Sequence, residues 1–441
     1  MFVPMDVSHS SSRGSETPVL PPHSLAVAAF STIVEWYDFT LYLYFATVLA
    51  RVFYGGGSGS LLMTLGGFAI AYLMRPLGAV FFSHIGDRSG RRRMMLMSVA
   101  LMTAAMLATA LLPTRAMVGP TAGWLLLFLR CVMGFSVGGE YTGVVAYLLE
   151  GAPRGRRGLI TSSASAASEI GGLLAVGVSA LTVSFMSASD LDWWGWRIPF
   201  IVGAALAGSV WVARSTMHES PEFLRQKAKG TIPGVPLRHA LANHRAGIAR
   251  AFSISALGSI TYYVGITYVP AFLTSVGKLS ERESLWLSTV AAVAVILITP
   301  LTGALTDRIG RKPVLIGLCA GSAALPIIMF SLMASSSAGE ALAGAVILAM
   351  LAGAVSAVGA VATAEQFPGE GRITGLALGA TMATAVFGGL TPYGAQLLVE
   401  RTGWATAPGI MIALVAICVA PVLLTLRETA PSLNRPPLSR P

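Results

Sequence analysis

Gly86-Asp87-Arg88-Ser89-Gly90-Arg91-Arg92-Arg93 is answered by Thr306-Asp307-Arg308-Ile309-Gly310-Arg311-Lys312-Pro313, with the two aspartates 220 residues apart in a chain of 441. Each D-R-x-G-R-[RK] turn lies between two long apolar stretches, so the chain reads as two copies of one half. One such turn behind a membrane helix is only a topology signal. Two at half-length spacing indicate internal structural repeats, the architecture on which alternating access is built. A second pair agrees: Glu150-x-x-Pro153-x-x-x-Arg157 ends the fourth apolar run and Glu365-x-x-Pro368-x-x-x-Arg372 the tenth. Proline stops a helix and arginine sets topology, but neither explains a glutamate where cations are favoured. Those glutamates are expected to pair with the arginines of the turn in their own half. Asp87, Arg88, Arg91, Glu150, Arg157, Asp307, Arg308, Arg311, Glu365 and Arg372 are therefore candidates for an ion-paired cytoplasmic gate.

Hydrophobic residues make up 54% of the chain, charged residues 11%, and the mean hydropathy is +0.70, far from the roughly 25% charge of soluble domains. The chain is a polytopic membrane protein by composition. Its net charge of +10 does not point to nucleic acid, because the cations sit between apolar runs and form no basic face on a soluble module. Cys131, Cys319 and Cys418 each fall inside an apolar run without C-x-x-C spacing, which indicates neither disulfide nor zinc. No metal and no other cofactor is expected: there is no H-E-x-x-H and no G-x-x-x-x-G-K-[ST], so ATP is not the driving force.

Twelve apolar runs appear near 25–50, 61–83, 94–112, 121–149, 159–185, 197–213, 248–276, 284–305, 314–334, 341–366, 372–399 and 405–426. The expected organisation is a polar N-terminal tail (1–23), a six-helix bundle (24–213), a cytoplasmic central loop (214–247), a second six-helix bundle (248–426) and a C-terminal tail (427–441). The first run exceeds a signal-peptide core and is expected to be retained. With the N-terminus inside, 22 of the 30 basic residues face the cytoplasm and six face out, which places both termini in the cytoplasm of an inner-membrane, multi-pass protein. The partners expected are lipid bilayer, protons and a small molecule, with the monomer as the working unit.

Finer sequence words narrow the class. Glu35-Trp36-Tyr37-Asp38-Phe39, Arg75-Pro76-Leu77-Gly78, Gly138-Gly139-Glu140-Tyr141, Trp194-Gly195-Trp196-Arg197-Ile198-Pro199-Phe200 and Glu219-Ser220-Pro221-Glu222-Phe223 resemble the metabolite/proton symporter family of the major facilitator superfamily. The resemblance runs from about Leu25 to Leu426. It implies an all-α fold of two pseudo-symmetric six-helix bundles, no enzymatic activity, and proton-driven import of a small polar metabolite. Gly139-Glu140-Tyr141-Thr142-Gly143 and Thr261-Tyr262-Tyr263 are similar to the proline/betaine branch, whereas Phe387-Gly388-Gly389-Leu390-Thr391-Pro392 reads more like the citrate branch. A zwitterionic osmolyte is the leading expectation, a di- or tricarboxylate such as citrate or 2-oxoglutarate the alternative, and proton-exchanging efflux a third.

An ionisable side chain at bilayer depth costs roughly 2.5 to 3.5 kcal/mol and persists where a cavity or partner compensates. Six stand inside the apolar runs: Glu35, Asp38, Arg75, Arg130, Glu140 and Glu169. Glu35 and Asp38 share a helical face; either they crowd in a cavity and one carries a proton, or each is tied to an arginine. Glu35, Asp38 and Glu140 are the proton-coupling candidates. Arg130 and Arg75 can hold a carboxylate through a bidentate fork, Glu169 can meet an ammonium, and tyrosines suit a quaternary ammonium. Arg130, Arg75, Glu169, Tyr37 and Tyr262 are thus the substrate-binding candidates. The second half offers Tyr262, Tyr263, Tyr268, Gln366, Tyr393 and Gln396 as a polar, uncharged wall. Gly134, Gly138, Gly139 and Gly143 of the fourth run are expected to allow close helix packing.

Overall fold

Inside a bilayer a chain must satisfy its backbone hydrogen bonds within itself, so apolar runs of this length become helices. The computed structural model describes residues 20–56, 60–232, 236–279, 281–335 and 337–430, and among them every regular element is helical. Residues 1–19 and 431–441, which include most of the two expected tails, lie outside the described residues.

Nine spans among the described residues are long and apolar enough to cross a membrane. They are span 2 (Ser60–Ser89), span 3 (Arg91–Ala110), span 4 (Thr121–Val137 continued by Glu140–Gly151), span 5 (Arg157–Phe185), span 6 (Arg197–Ser215), span 8 (Glu281–Ile309), span 9 (Arg311–Met333), span 10 (Ala338–Ala364) and span 12 (Ala407–Leu424). Spans 1, 7 and 11 complete the twelve and are broken. Span 1 runs as Pro22–Phe30, Thr32–Tyr44 and Ala46–Tyr54. Span 7 is Arg245–Tyr262, a π-helical turn Tyr263–Thr267, and Val269–Ser275. Span 11 is Arg372–Leu376, a π-helical turn Ala377–Thr381, Met382–Phe387 and Thr391–Thr402. Interrupted helices are tolerated at membrane depth where they line a cavity, and all three line the central one.

The two turns that open the sequence argument make the same corner in each half. Gly90 (φ +110°) and Gly310 (φ +105°) take a backbone conformation that L side chains rarely adopt, and spans 3 and 9 start at the next residue. Each half then builds its own apolar core: Tyr37, Leu49, Met102 and Phe200 in the first, Leu257, Phe272, Phe330 and Val355 in the second. A third cluster joins both halves at the end carrying the turns, with Met94, Val144 and Leu148 packed together with Ala251, Phe367 and Ile373.

Two differences from the sequence reading matter. Span 6 extends through Ser215 and carries Arg214, counted above among loop cations, into the fully buried interior. The central loop also holds two short helices, Pro221–Lys229 and Pro236–Asn243. The glycines of span 4 do lie on backbone and bulky side chains: a Cβ at Gly134 would strike the Ala71 carbonyl, at Gly138 the Arg75 carbonyl, and at Gly139 the Phe82 side chain. Gly138→Ala should therefore lower stability by about 1–3 kcal/mol. Gly177→Ala, where nothing lies within 4 Å, should be neutral or slightly stabilising. Thermal melting of the two purified variants in detergent checks the contrast.

Candidate functional site

A cavity of about 170 Å³ lies between the two halves. From the first half it receives Glu35 and Trp36 of span 1, Tyr72 and Arg75 of span 2, Tyr141 of span 4, and Ser165 and Glu169 of span 5. Spans 7, 10 and 11 supply Ser255, Ser259, Tyr262, Tyr263, Ser356, Thr381 and Thr384, a polar wall without formal charge. Helical repeat explains the selection: Glu35 and Trp36 turn inward while Tyr37, about 100° further round, turns away.

Charge in the cavity is only partly answered by the chain. The Arg75 guanidinium reaches Glu35 at 3.5 Å and lies over the Phe39 and Tyr72 rings at 4.9 and 4.8 Å. Glu35 Oε2 is buried without a hydrogen-bond partner. Glu169 has its carboxylate against the Tyr262 hydroxyl of the other half. The Trp36 ring meets Tyr262 edge-on at 5.4 Å, and the Tyr72 and Tyr263 hydroxyls share a hydrogen bond of 2.7 Å. Two acids, a cation and a set of aromatic faces thus converge on a space sized for a small polar molecule.

Several expected site residues stand elsewhere. Arg130 is tied to Asp38 at 2.8 Å, and the pair faces a separate chamber of about 40 Å³ that Glu35 and Arg75 also border. The two acids of span 1 are therefore each matched to an arginine, and Arg130 does not reach the main cavity. Tyr37 is wholly buried in the first core, donating to the Pro199 carbonyl at 2.9 Å, so it lines no cavity. Glu140 also points away: it is held by Arg214 and accepts from Ser98 at 2.8 Å, with no exposure. Tyr268 donates to Gln396 and Gln366 to the Ala362 carbonyl, both outside the cavity. The Tyr393 side chain lies outside the described residues. Trp36, Tyr72 and Tyr141 are the aromatic cavity residues not named as site candidates, and the serines and threonines of the wall were not named either. The signal for the three aromatics is a place beside or one turn from a buried charge, and for Trp36 and Tyr141 a place in the family words as well.

The repeated turns meet at one end. Asp87 accepts from the Thr374 amide (2.9 Å), the Thr374 hydroxyl (2.8 Å) and the Ile373 amide (3.4 Å), all at the start of span 11. Asp307 does the same for the start of span 5, accepting from the Gly158 and Leu159 amides at 2.9 and 3.0 Å. Each aspartate of one half thus caps a helix N-terminus of the other, where unpaired amides and the helix dipole favour an anion. Arg91 bridges Asp87 (3.3 Å), Glu150 (3.2 Å) and the Gly369 carbonyl (2.9 Å), and Arg372 crosses the interface to Glu150 at 2.9 Å. Arg311 holds Asp307 at 2.9 Å and Glu365 at 3.2 Å. Arg157 begins span 5, half-buried, whereas Arg88 and Arg308 are exposed.

A third repeat, unrecognised in the sequence, completes this end. Glu219 accepts from the amides of Arg91 and Arg92, and Glu428 from those of Arg311 and Lys312, capping spans 3 and 9. The available signal was the shared acid-hydroxyl pair, Glu219-Ser220 and Glu428-Thr429. Burial pushes the Glu219 carboxyl above its ordinary value against those amide bonds. At Glu428 burial acts the same way, but its amide donors outweigh it and hold the carboxyl below the ordinary value.

Two helical bundles around one polar cavity, latched at one end by reciprocal caps, define an alternating-access transporter fold. The comparisons agree. Residues 25–231 match the family described as sugar (and other) transporter and residues 264–440 the Major Facilitator Superfamily. The chain is 30% identical over 424 residues to the proline/betaine transporter of Salmonella typhimurium, spanning 94% of this chain and 84% of that one. It is 34% identical over 408 residues to the alpha-ketoglutarate permease of Escherichia coli, spanning 91% and 92%. Among solved structures, the proton:xylose symporter XylE bound to 6-bromo-6-deoxy-D-glucose superposes with a TM-score of 0.77 at 18% identity, over 92% of this chain and 96% of that one. The chain belongs to the major facilitator superfamily.

Because the reciprocal caps are charge-assisted, Asp87→Asn should weaken the hold on span 11 by about 0.5–2 kcal/mol, or roughly 2- to 30-fold in local opening. Hydrogen-exchange mass spectrometry should show faster exchange at Ile373 and Thr374 in Asp87→Asn, and at Gly158 and Leu159 in Asp307→Asn. Unchanged exchange in both would leave the aspartates without a capping role.

Proposed function

We propose that this protein imports a small zwitterionic osmolyte, such as proline or glycine betaine, together with protons across the inner membrane. The observation that carries the reading is the placement of Arg75 and Glu169 around one small aromatic cavity. A substrate carboxylate takes the Arg75 fork, and its ammonium lies between Glu169 and the faces of Trp36 and Tyr262, which attract cations. The similarity to a proline/betaine transporter supports the same substrate class.

Coupling follows from competition for Arg75. In the empty cavity the guanidinium answers Glu35 at 3.5 Å. When a substrate carboxylate occupies the fork, Glu35 loses its nearest cation in a poorly solvated wall, and a proton discharges it. Substrate and proton therefore load together. Asp38, with Arg130 as its own partner beside the shared chamber, is the second candidate proton carrier. Glu140, saturated by Arg214 and Ser98, leaves this role.

The latched end with Asp87, Arg91, Glu150, Asp307, Arg311, Glu365 and Arg372 acts as the cytoplasmic gate in this reading, with Arg157 at its rim and Arg88 and Arg308 as surface topology charges. The excess of basic residues on that side supports cytoplasmic termini. The monomer, embedded in lipid, is the working unit, and transport proceeds without covalent chemistry.

A dicarboxylate is the second reading, favoured by the similarity to the alpha-ketoglutarate permease. Glu169 separates the two. For a zwitterion, Glu169→Gln and Arg75→Gln should each weaken binding by about 1.5–3 kcal/mol, or roughly 10- to 150-fold. For a dicarboxylate, removing Glu169 should leave binding unchanged or tighter. Uptake of labelled proline, betaine and 2-oxoglutarate into vesicles with an imposed pH gradient reads both, and a protonophore should collapse accumulation. Full accumulation with neither pH gradient nor membrane potential would refute proton coupling.

A further inference from the structure

The two halves treat one buried place in opposite ways. In the first half, Glu140 and Arg214 form an ion pair without solvent exposure. The offset that carries Glu150 to Glu365 carries Glu140 to Val355, and the offset that carries Glu219 to Glu428 carries Arg214 to Leu423. Val355 and Leu423 are both buried in the apolar core of the second half. At both equivalent positions the second half is therefore apolar and uncharged. Since well-packed apolar residues are commonly as stabilising as a buried ion pair, the first half's charges call for a role beyond packing.

Their contacts show what they organise. Arg214 donates to Glu140, to the Met95 carbonyl at 2.9 Å and to the Ser31 hydroxyl, while Ser98 donates to Glu140 at 2.8 Å. Spans 1, 3, 4 and 6 meet at this node. Two of them are interrupted there: span 1 at Ser31 and span 4 at Gly138-Gly139, directly before Glu140. Glu35 follows Ser31 by about one helical turn, and Tyr141 follows Glu140, so the node sets where two cavity residues stand.

We infer that Glu140 and Arg214 are positioning residues for proton coupling: the pair fixes the breaks in spans 1 and 4 and so holds Glu35 within reach of Arg75. This rests on the coupling role proposed for Glu35. The ionisable groups facing Glu35 are Arg75 and Tyr72 of span 2, Glu140 and Tyr141 of span 4, Arg214 of span 6 and Tyr263 of span 7. Among them, Glu140 and Arg214 do not line the cavity, so they act on Glu35 through position and field and never by touching substrate.

The test transplants the second half's solution. Glu140→Val with Arg214→Leu removes both charges at once and leaves no unpaired ion, so the protein should still fold. Proton-driven accumulation in proteoliposomes should fall about tenfold or more, while substrate exchange without a gradient falls less than about threefold. The pH profile of uptake should shift by about one unit or more. Ser31→Ala, which removes the node's link to span 1 together with the local Ser31 bond to the Ala28 carbonyl and leaves both charges in place, should move the pH profile in the same direction with protein yield unchanged. Should the double variant not reach the membrane, Ser31→Ala decides alone. A wild-type ratio of accumulation to exchange and a wild-type pH profile in the variants that fold would overturn the inference. The assays run with proline, betaine and 2-oxoglutarate in parallel: wild-type protein that moves none of them counts against the proposed substrates, whereas wild-type protein that moves one while the variants match it counts against the positioning role alone.

Discussion

The N-termini of spans 3, 5, 9 and 11 are each completed by an acid from elsewhere in the chain, and two of these completions cross between the halves. Asp87 supplies the start of span 11 and Asp307 the start of span 5. Four amides at each helix start lack an internal partner, and at the membrane edge a carboxylate answers them with both hydrogen bonds and charge. Because each half gives one acid and receives one, the latch is symmetric and needs no third element. The surrounding arginines and glutamates extend it: Arg91 holds Asp87 in place and Arg372 reaches Glu150 across the interface. These contacts join the two halves at one end of the cavity between them.

Duplication accounts for the latch but not for the cavity. At the turn end the acids and arginines occur in pairs, one per half, down to Glu219 and Glu428 capping spans 3 and 9. In the cavity the first half presents Glu35, Arg75 and Glu169, and the second presents hydroxyls and tyrosines. This division suits alternating access. A symmetric latch can open and close by relative movement of the halves, while one half retains the charged contacts to a ligand and the other closes over it with neutral hydrogen-bonding groups that cost less to desolvate.

The sequence carried the latch well and the cavity only in part. Motif spacing named Asp87, Arg91, Glu150, Asp307, Arg311, Glu365 and Arg372, because a charged turn between apolar runs can be read without knowing how helices are rotated; it also named Arg88 and Arg308, which stand exposed, and missed Glu219 and Glu428. It did not reveal that each aspartate caps a helix of the opposite half, since that contact joins segments 286 residues apart in one case and 149 in the other. Buried charges were legible as a set, but the direction of each side chain was not. Tyr37 and Trp36 are adjacent in sequence, yet one lies in the core and the other lines the cavity. Arg214 escaped because it closes a span beside a basic loop, where a cation ordinarily marks topology; only tertiary packing shows it to be Glu140's partner.

The charges of the first half divide by how completely they are answered. Glu140 has Arg214 and Ser98 on its oxygens, so both of its carboxylate oxygens are answered within the chain. Glu35 has one guanidinium at 3.5 Å and an oxygen with no partner. The same guanidinium borders the space open to a ligand, so any carboxylate entering there competes for it directly. In the proposed coupling, one cation that cannot serve two anions at once would link substrate to proton, and Arg75, on the cavity wall 3.5 Å from Glu35, is the residue placed for that role.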